Sequence, residues 1–292
     1  HVHARVGMPE LRSLDESPDG RTRWVQLRIP VVEGVRYRIG SVTFEGNHLV
    51  PTNTLQQLFA LKTGEWYSQA VVRKGLEKAR ELFHEAKLAG ADAVKLQKRD
   101  NRGLYTRAAY NKPYDNANSF GSTYGEHREF LEFGLKEYTE LKRYACELGV
   151  DFFATAFDIA SADFLAALDV PAFKIASGDV KSTPLLEHVA RFGKPVIIST
   201  GGAVIDDVQR AYDTLMAINP QVGILQCTAG YPASFEELDL RVVDQYRERF
   251  PGAVVGYSGH DNGIAMPVAA YVLGARIVEK HFTLNRAMKG TD

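Results

Sequence analysis

From residue 93 onward the chain repeats one unit seven times, a short apolar run bounded by turn residues followed by a stretch of helical length. The runs are AVKLQ (93–97), FFATAF (152–157), AFKIAS (172–177), PVIIST (195–200), GILQCT (223–228), AVVGYSG (253–259) and RIVEKHFT (276–283). Strands that are apolar on both faces, separated by helices, specify a parallel sheet covered on its outside. The helix signals agree: one helix is expected to stop at Gly149, another carries Pro184 in its first turn and ends at Gly193. Seven units, one short of eight, predict an α/β chain with an incomplete (β/α)8 TIM barrel, its remaining strand missing or supplied from elsewhere. A doubly wound open sheet is the alternative, since strand counting does not decide closure.

The first eighty or so residues have a different texture. RWVQLRIPVVEG (23–34) and VRYRIGSVTFEGN (35–47) alternate apolar and polar residues, predicting two half-buried strands joined by a short turn. PTNTLQQLFAL (51–61) and SQAVVRKGLEKAREL (68–82) read as helices. In the second, Val72, Leu76, Ala79, Phe83 and Ala86 fall on alternating steps of four and three, and this stripe runs on into the repeating part. The sequence therefore divides into a small α+β segment, residues 1–83, and a barrel, residues 84–292, joined inside one helix.

Net charge is −1, with 24% charged and 45% apolar residues, so the basic excess that nucleic-acid binding needs is missing. Cys146 and Cys227 form no CxxC pair, which argues against a disulfide scaffold or a structural zinc site and suits a reducing compartment. No apolar run reaches the roughly 18 residues of a membrane span. The start at His1 and the end at MKGTD suggest a fragment at both ends.

In a parallel barrel, functional groups gather at the C-terminal ends of the strands. Those ends carry Lys95 and Gln97; Thr155; Lys174, Ser177 and Asp179; Ser199, Thr200, Gly201 and Gly202; Thr228 and Tyr231; Ser258 and His260; Glu279 and His281. Lys95 and Lys174 each interrupt an apolar strand, which is costly unless the ammonium meets an anion. With the hydroxyls and the amides of STGG they describe a pocket for a phosphate and a carboxylate. His260 and His281 end consecutive strands and are expected to be neighbours, a pair suited to one metal ion with open positions.

The motifs GADAVKLQKRD, NSFGSTYGEHREFLEF, FKIASGD, VIISTGG, LQCTAGYP, GYSGHDNGIA, EKHFTL and MKGTD occur in order over about residues 84–292. In these the chain resembles the sialic acid (N-acetylneuraminate) synthase family. That resemblance implies a TIM barrel condensing phosphoenolpyruvate with an N-acetylated amino sugar of the N-acetylmannosamine type, using a divalent metal, Mn2+ or Mg2+. It implies that Lys95, Gln97, Thr155, Lys174, Ser177, Ser199 and Ser258 hold phosphoenolpyruvate, that His260 and His281 bind the metal, and that Asp179, Tyr231 and Asp292 contact the sugar. Glu279, Lys174 and Lys95 are then the catalytic candidates, Glu279 handling water or a proton. Ala229 departs from the family's usual Asn or Ser, and the family's first strand, of the form AEIGxNHxG, has no proper counterpart. The resemblance also implies homodimers whose small swapped C-terminal domain would follow Asp292.

The segment before residue 84 resembles the polypeptide-transport-associated (POTRA) repeats of outer-membrane assembly factors, carried by HVHARVGMPELR, RWVQLRIPVVEG, VRYRIGSVTFEGN and GEWYSQAVVRKGLEKARELF, which would be the closing hairpin of one repeat and then the first strand and both helices of the next. Such modules bind polypeptide by strand addition and perform no chemistry. A synthase implies the cytoplasm, whereas a POTRA module implies the periplasm. Two further readings stand beside the synthase: a Schiff-base aldolase using Lys174, and a non-enzymatic scaffold whose working part is residues 1–83.

Overall fold

The computed structural model describes residues 5–6, 10–16, 23–28, 31–32, 69–116 and 118–285, with side chains from residue 73 onward. The chain forms two compact units, His1–Arg73 and Lys74–Asp292. In the first, β1 (Arg5–Val6) pairs antiparallel with β4 (Val31–Val32), and β2 (Glu10–Glu16) pairs antiparallel with β3 (Arg23–Arg28). The strand expected over 23–34 is thus two strands, and Pro30, which lacks a donor, stands between them in the sequence. Their partners lie upstream. Residues 35–68, where the second expected strand and the first expected helix fall, lie outside the described residues.

Helix α1 (Gln69–Leu88) runs unbroken through the junction read from the sequence. Its Ala79, Phe83 and Ala86 are buried, as the four-and-three spacing requires, and the Phe83 ring packs on Phe152 with centroids 5.7 Å apart. After it come β5 (Ala93–Lys98), α2 (Tyr124–Leu131), α3 (Leu135–Leu148), β6 (Asp151–Ala156), α4 (Ile159–Ala167), β7 (Phe173–Ile175) and α5 (Thr183–Ala190). The chain continues with β8 (Val196–Ser199), α6 (Ile205–Met216), β9 (Val222–Cys227), α7 (Val242–Arg249), β10 (Val254–Gly259), α8 (Ala265–Val272) and β11 (Ile277–Lys280). Gly149 and Gly193 take the left-handed conformation, φ 66° and 68°, that ends a helix.

Strands β5 to β11 form one seven-stranded parallel sheet in strict sequence order. A doubly wound sheet reverses its order at a switch point, and this one does not. Instead it curls: Lys95 on β5 and Glu279 on β11, at opposite edges, come within 3.9 Å. The result is a barrel short of closure, with β5 and β11 as its two edges among the described residues.

Alternation sorts each strand into two faces. Phe152, Ala154, Phe173, Ile175, Val196, Ile198, Ile224 and Val255 are buried, and this row forms the core beneath the helices. The opposite row faces the barrel interior, where register aligns Gln97, Thr155, Lys174 and Ile197 in one tier and Cys227, Ser258 and Glu279 in another. Gly256 lies between, and a Cβ there would meet the Ile277 carbonyl oxygen at 2.4 Å and a Leu225 methyl at 2.5 Å. Gly256→Ala is therefore expected to destabilise the barrel by about 3 kcal/mol, as overpacking against backbone does. Denaturant unfolding followed by circular dichroism measures this, and an unchanged midpoint would contradict the close approach.

Candidate active site

The interior tier gathers charge from three strands that are not neighbours. Lys174, from β7, is only 2% exposed; its Nζ donates to Ser199 Oγ at 2.6 Å and to the Ile175 carbonyl at 2.9 Å. It also faces Glu279 Oε1 of β11 at 4.0 Å. Lys95 Nζ, from β5, donates to Thr155 Oγ1 at 3.0 Å and faces the same Glu279 oxygen at 3.9 Å. Ser258 Oγ donates to that oxygen at 3.3 Å. Both lysine contacts are too long for hydrogen bonds, so one carboxylate is shared electrostatically by two ammonium groups.

These neighbours set the titration of the floor. Burial presses the Lys174 pKa down to about 8; Glu279 opposes the shift and Lys95 adds to it. Burial pushes Glu279 upward, but Lys174, Lys95, Ser258 and His281 outweigh it and hold the carboxyl below its usual value. The floor thus carries two cations against one anion, and an incoming anion gains from the excess.

Beside the floor stand the histidines. The His260 and His281 rings lie 5.4 Å apart between centroids, with Tyr231 packed 4.2 Å from His260 and 6.2 Å from His281. His260 Nδ1 is 2.9 Å from the Thr228 carbonyl, which can only accept, so Nδ1 carries the proton and Nε2 is left with its lone pair. Cys227 Sγ lies 3.8 Å from the same Nδ1. Among the described residues no three His, Cys, Asp or Glu side chains are grouped to hold an ion. The two imidazoles are donors of a kind that binds divalent transition ions, and alone they supply two of the positions such an ion needs.

Most residues expected at the site do converge. Lys95, Thr155, Lys174, Ser199, Ser258 and Glu279 form one bonded group, and His260, His281 and Tyr231 form a second beside it. Ser177 Oγ accepts from the Gly201 amide at 2.9 Å. Gln97 is engaged by Arg99, whose Nη2 donates to Gln97 Oε1 at 2.6 Å. Asp179 sits at the mouth rather than on the floor; burial raises its pKa to about 6, with Arg99 opposing and Asp158 adding to the shift. Asp292 lies outside the described residues. The sequence reading missed Arg99 and Cys227. Arg99 falls on the same two-residue step as Lys95 and Gln97, and Cys227 on the same step as Leu225, so each was marked only by parity.

Comparison with known proteins decides the lineage. The family model described as NeuB family matches residues 82–292. The chain belongs to the NeuB family. A second family model, the surface antigen variable number repeat (POTRA), matches residues 37–104, overlapping the NeuB match through α1 and β5. Human N-acetylneuraminate-9-phosphate synthase is 42% identical over 217 residues, 74% of this chain and 60% of that one. The N,N'-diacetyllegionaminic acid synthase of Legionella pneumophila is 36% identical over 223 residues, covering 74% and 62%. This NeuB chain therefore spans about 60% of the length of such relatives. The solved N-acetylneuraminic acid (sialic acid) synthetase of Leptospira borgpetersenii superposes with a TM-score of 0.65 at 29% identity, covering 74% of this chain and 70% of that one. A truncated 3-deoxy-D-arabino-heptulosonate 7-phosphate synthase from Thermotoga maritima, TM-score 0.51 at 17% identity, covers 70% of each chain and shares the fold alone.

Proposed function

We propose that residues 84–292 are the barrel of a transferase that condenses phosphoenolpyruvate with an N-acetylated amino sugar, giving a sialic-acid-type product and phosphate. The observation that carries this reading is the shared carboxylate, with Lys95 and Lys174 from β5 and β7 meeting Glu279 from β11 within 4.0 Å. Two cations against one anion match a substrate that brings both a carboxylate and a phosphate. The names of the human and Legionella relatives support an amino-sugar acceptor, and their difference leaves the particular sugar to experiment.

Lys95 and Lys174 hold the two anionic groups of phosphoenolpyruvate, with Thr155, Ser199, Ser177, Ser258 and Gln97 orienting them. Asp179 and Tyr231 position the sugar, and Asp292 is assigned to it by motif. A divalent ion held by His260 and His281 would supply Lewis-acid polarisation of the sugar carbonyl. The methylene carbon of phosphoenolpyruvate bonds to the sugar's carbonyl carbon, whose C=O π bond opens to an oxyanion. Positive charge then develops at the middle carbon of phosphoenolpyruvate beside the Glu279 carboxylate. Water adds there, Glu279 takes the proton that water releases and passes it to the oxyanion, and the C–O bond to phosphate breaks as the new hydroxyl becomes the keto group and its proton leaves with phosphate. The floor lysines keep both anions in place throughout.

Phosphate release from phosphoenolpyruvate plus N-acetylmannosamine, with and without manganese, tests the proposal in this chain extended by the parts of its relatives that it does not span. Metal-dependent release is expected, and none would sink it. A second reading has one observation in its favour, since a buried lysine with a pKa near 8 is what Schiff-base chemistry needs. Borohydride trapping of a sugar or pyruvate adduct on Lys174 would establish that aldolase instead. Activity on phosphoenolpyruvate would place the barrel in the cytoplasm. The POTRA-like segment, read as a polypeptide-binding module, pulls toward the periplasm, and fractionation decides between them.

A further inference from the structure

The parallel ladder between β10 and β11 ends at the pair Gly259↔Lys280, one residue short of each histidine. Strand register alone therefore leaves His260 and His281 unfixed. A polar clasp behind them takes over. Alternation turns Tyr257 and Gly259 of β10 and Lys280 of β11 away from the barrel interior. Asp261 folds back onto that side, close enough that a Cβ on Gly259 would meet its Oδ1 at 2.7 Å. The Tyr257 hydroxyl donates to this oxygen at 2.5 Å, Lys280 Nζ pairs with it at 3.1 Å, and the same Nζ donates to the Asp261 carbonyl.

Each charged member is the chain neighbour of a histidine, Asp261 of His260 and Lys280 of His281. The ion pair thus ties the two strand ends together one peptide unit from each imidazole. His260 is held from the other direction as well: its carbonyl accepts from the Ala233 amide at 3.1 Å, and its Nδ1 donates to the Thr228 carbonyl. As a source of stability the clasp is a poor choice. The Asp261 side chain is 0% exposed, and its Oδ2 has no hydrogen-bond partner among the described residues. An unsatisfied buried acceptor destabilises, and a buried ion pair can often be exchanged for well-packed neutral groups without loss. What the two charges add is a single low-energy arrangement, since any other leaves the carboxylate buried without its cation.

We propose that Asp261, clasped by Lys280 and Tyr257, is a positioning residue for the histidine pair, fixing the separation and direction of the two imidazoles so that they bind one divalent transition ion together. What the pair binds rests on the metal-assisted condensation reading; the clasp itself does not. Asp261 touches neither substrate nor ion and acts only through the main chain of His260 and, by way of Lys280, of His281.

The deciding variant is the double substitution Asp261→Asn with Lys280→Met in the intact chain, which removes both charges and keeps both side-chain lengths. Its Tm should stay within about 5 °C of the wild type, because no buried charge is left without a partner. Manganese affinity, read from the electron paramagnetic resonance of the free ion, should nonetheless fall at least about tenfold. Nitrogen NMR of isotope-labelled histidine in the metal-free protein, at about pH 8.5 where imidazoles are neutral, reads the rings directly. The wild type should show His260 as the single Nδ1–H tautomer, and the variant should show ring shifts averaged toward both tautomers as the imidazole loosens from Thr228. Unchanged ring shifts, or wild-type manganese affinity kept in the variant, overturns the proposal. A larger drop in Tm overturns it too, by making the clasp ordinary support of the fold. Should the double variant fail to fold, Asp261→Asn alone gives the same readings, with the Lys280 ammonium free to turn toward solvent. Failure of the wild type to bind manganese counts against the metal-assisted reading instead, because the ring shifts are read without metal and still decide the clasp.

Discussion

Lys174→Met is expected to lower phosphoenolpyruvate affinity at least about 100-fold while leaving the barrel folded. The loss follows from position, since Lys174 is 2% exposed, its ammonium is anchored by Ser199 and Ile175, and it is one of two cations on the floor. A charge-assisted contact made away from water is worth about 3 kcal/mol. Stability should hold because methionine keeps the length of the side chain while a buried ammonium, already destabilised by burial, is removed. The pH dependence has a definite sign. The folded-state pKa lies near 8 and the ordinary value is 10.5, so between these the unfolded chain binds more protons. Stability therefore rises with pH across that window, by about 3 kcal/mol at most, and the penalty is in full force below pH 8. Phosphoenolpyruvate affinity moves the other way, falling above pH 8 as the ammonium is lost. Lys174→Met should show neither trend. Thermal melts and calorimetry from pH 6.5 to 10, bounds of about two units either side of the folded pKa, measure both. A variant that still binds phosphoenolpyruvate like the wild type would remove Lys174 from the pocket.

The sequence made some of this legible and left the rest dark for physical reasons. Lysines inside apolar strands announce themselves, because burying a charge demands a partner, and Lys95 and Lys174 do converge. Closure was not legible. A run such as VIIS reads the same in a barrel or an open sheet, and the unbroken sequential strand order with the Lys95–Glu279 approach across the curl tells them apart. The front hairpin was carried by the POTRA resemblance, which closes HVHARVGMPELR on RWVQLRIPVVEG, rather than by periodicity, because alternation marks a strand but not its partner; β3 pairs with Glu10–Glu16, whose polar sequence ELRSLDE offers little alternation of its own.

Glu279→Gln should separate binding from turnover. With the carboxylate gone, Lys95 and Lys174 face each other across an uncharged amide, and the group that holds the Lys174 pKa up to about 8 is removed, so that pKa falls further. Breaking a largely buried charge cluster on one side costs about 3 kcal/mol; Glu279 and Lys95 side chains keep 26% and 18% of their exposure, so the loss should lie at or below that figure. Added anion should then restore more stability than it does in the wild type, because phosphoenolpyruvate supplies the negative charge that the variant's amide lacks, and its binding should be no weaker. Phosphate release should nonetheless fall at least about 100-fold, the usual contribution of a positioned base. Tm with and without phosphoenolpyruvate, together with release kinetics, reads both arms. A smaller ligand-induced Tm rise in the variant than in the wild type would show that Glu279 does not compete with the substrate's charge. Release at the wild-type rate would show that the proton from water goes elsewhere, and Asp179, whose raised pKa of about 6 leaves it mostly ionised at neutral pH, is then the next candidate to substitute.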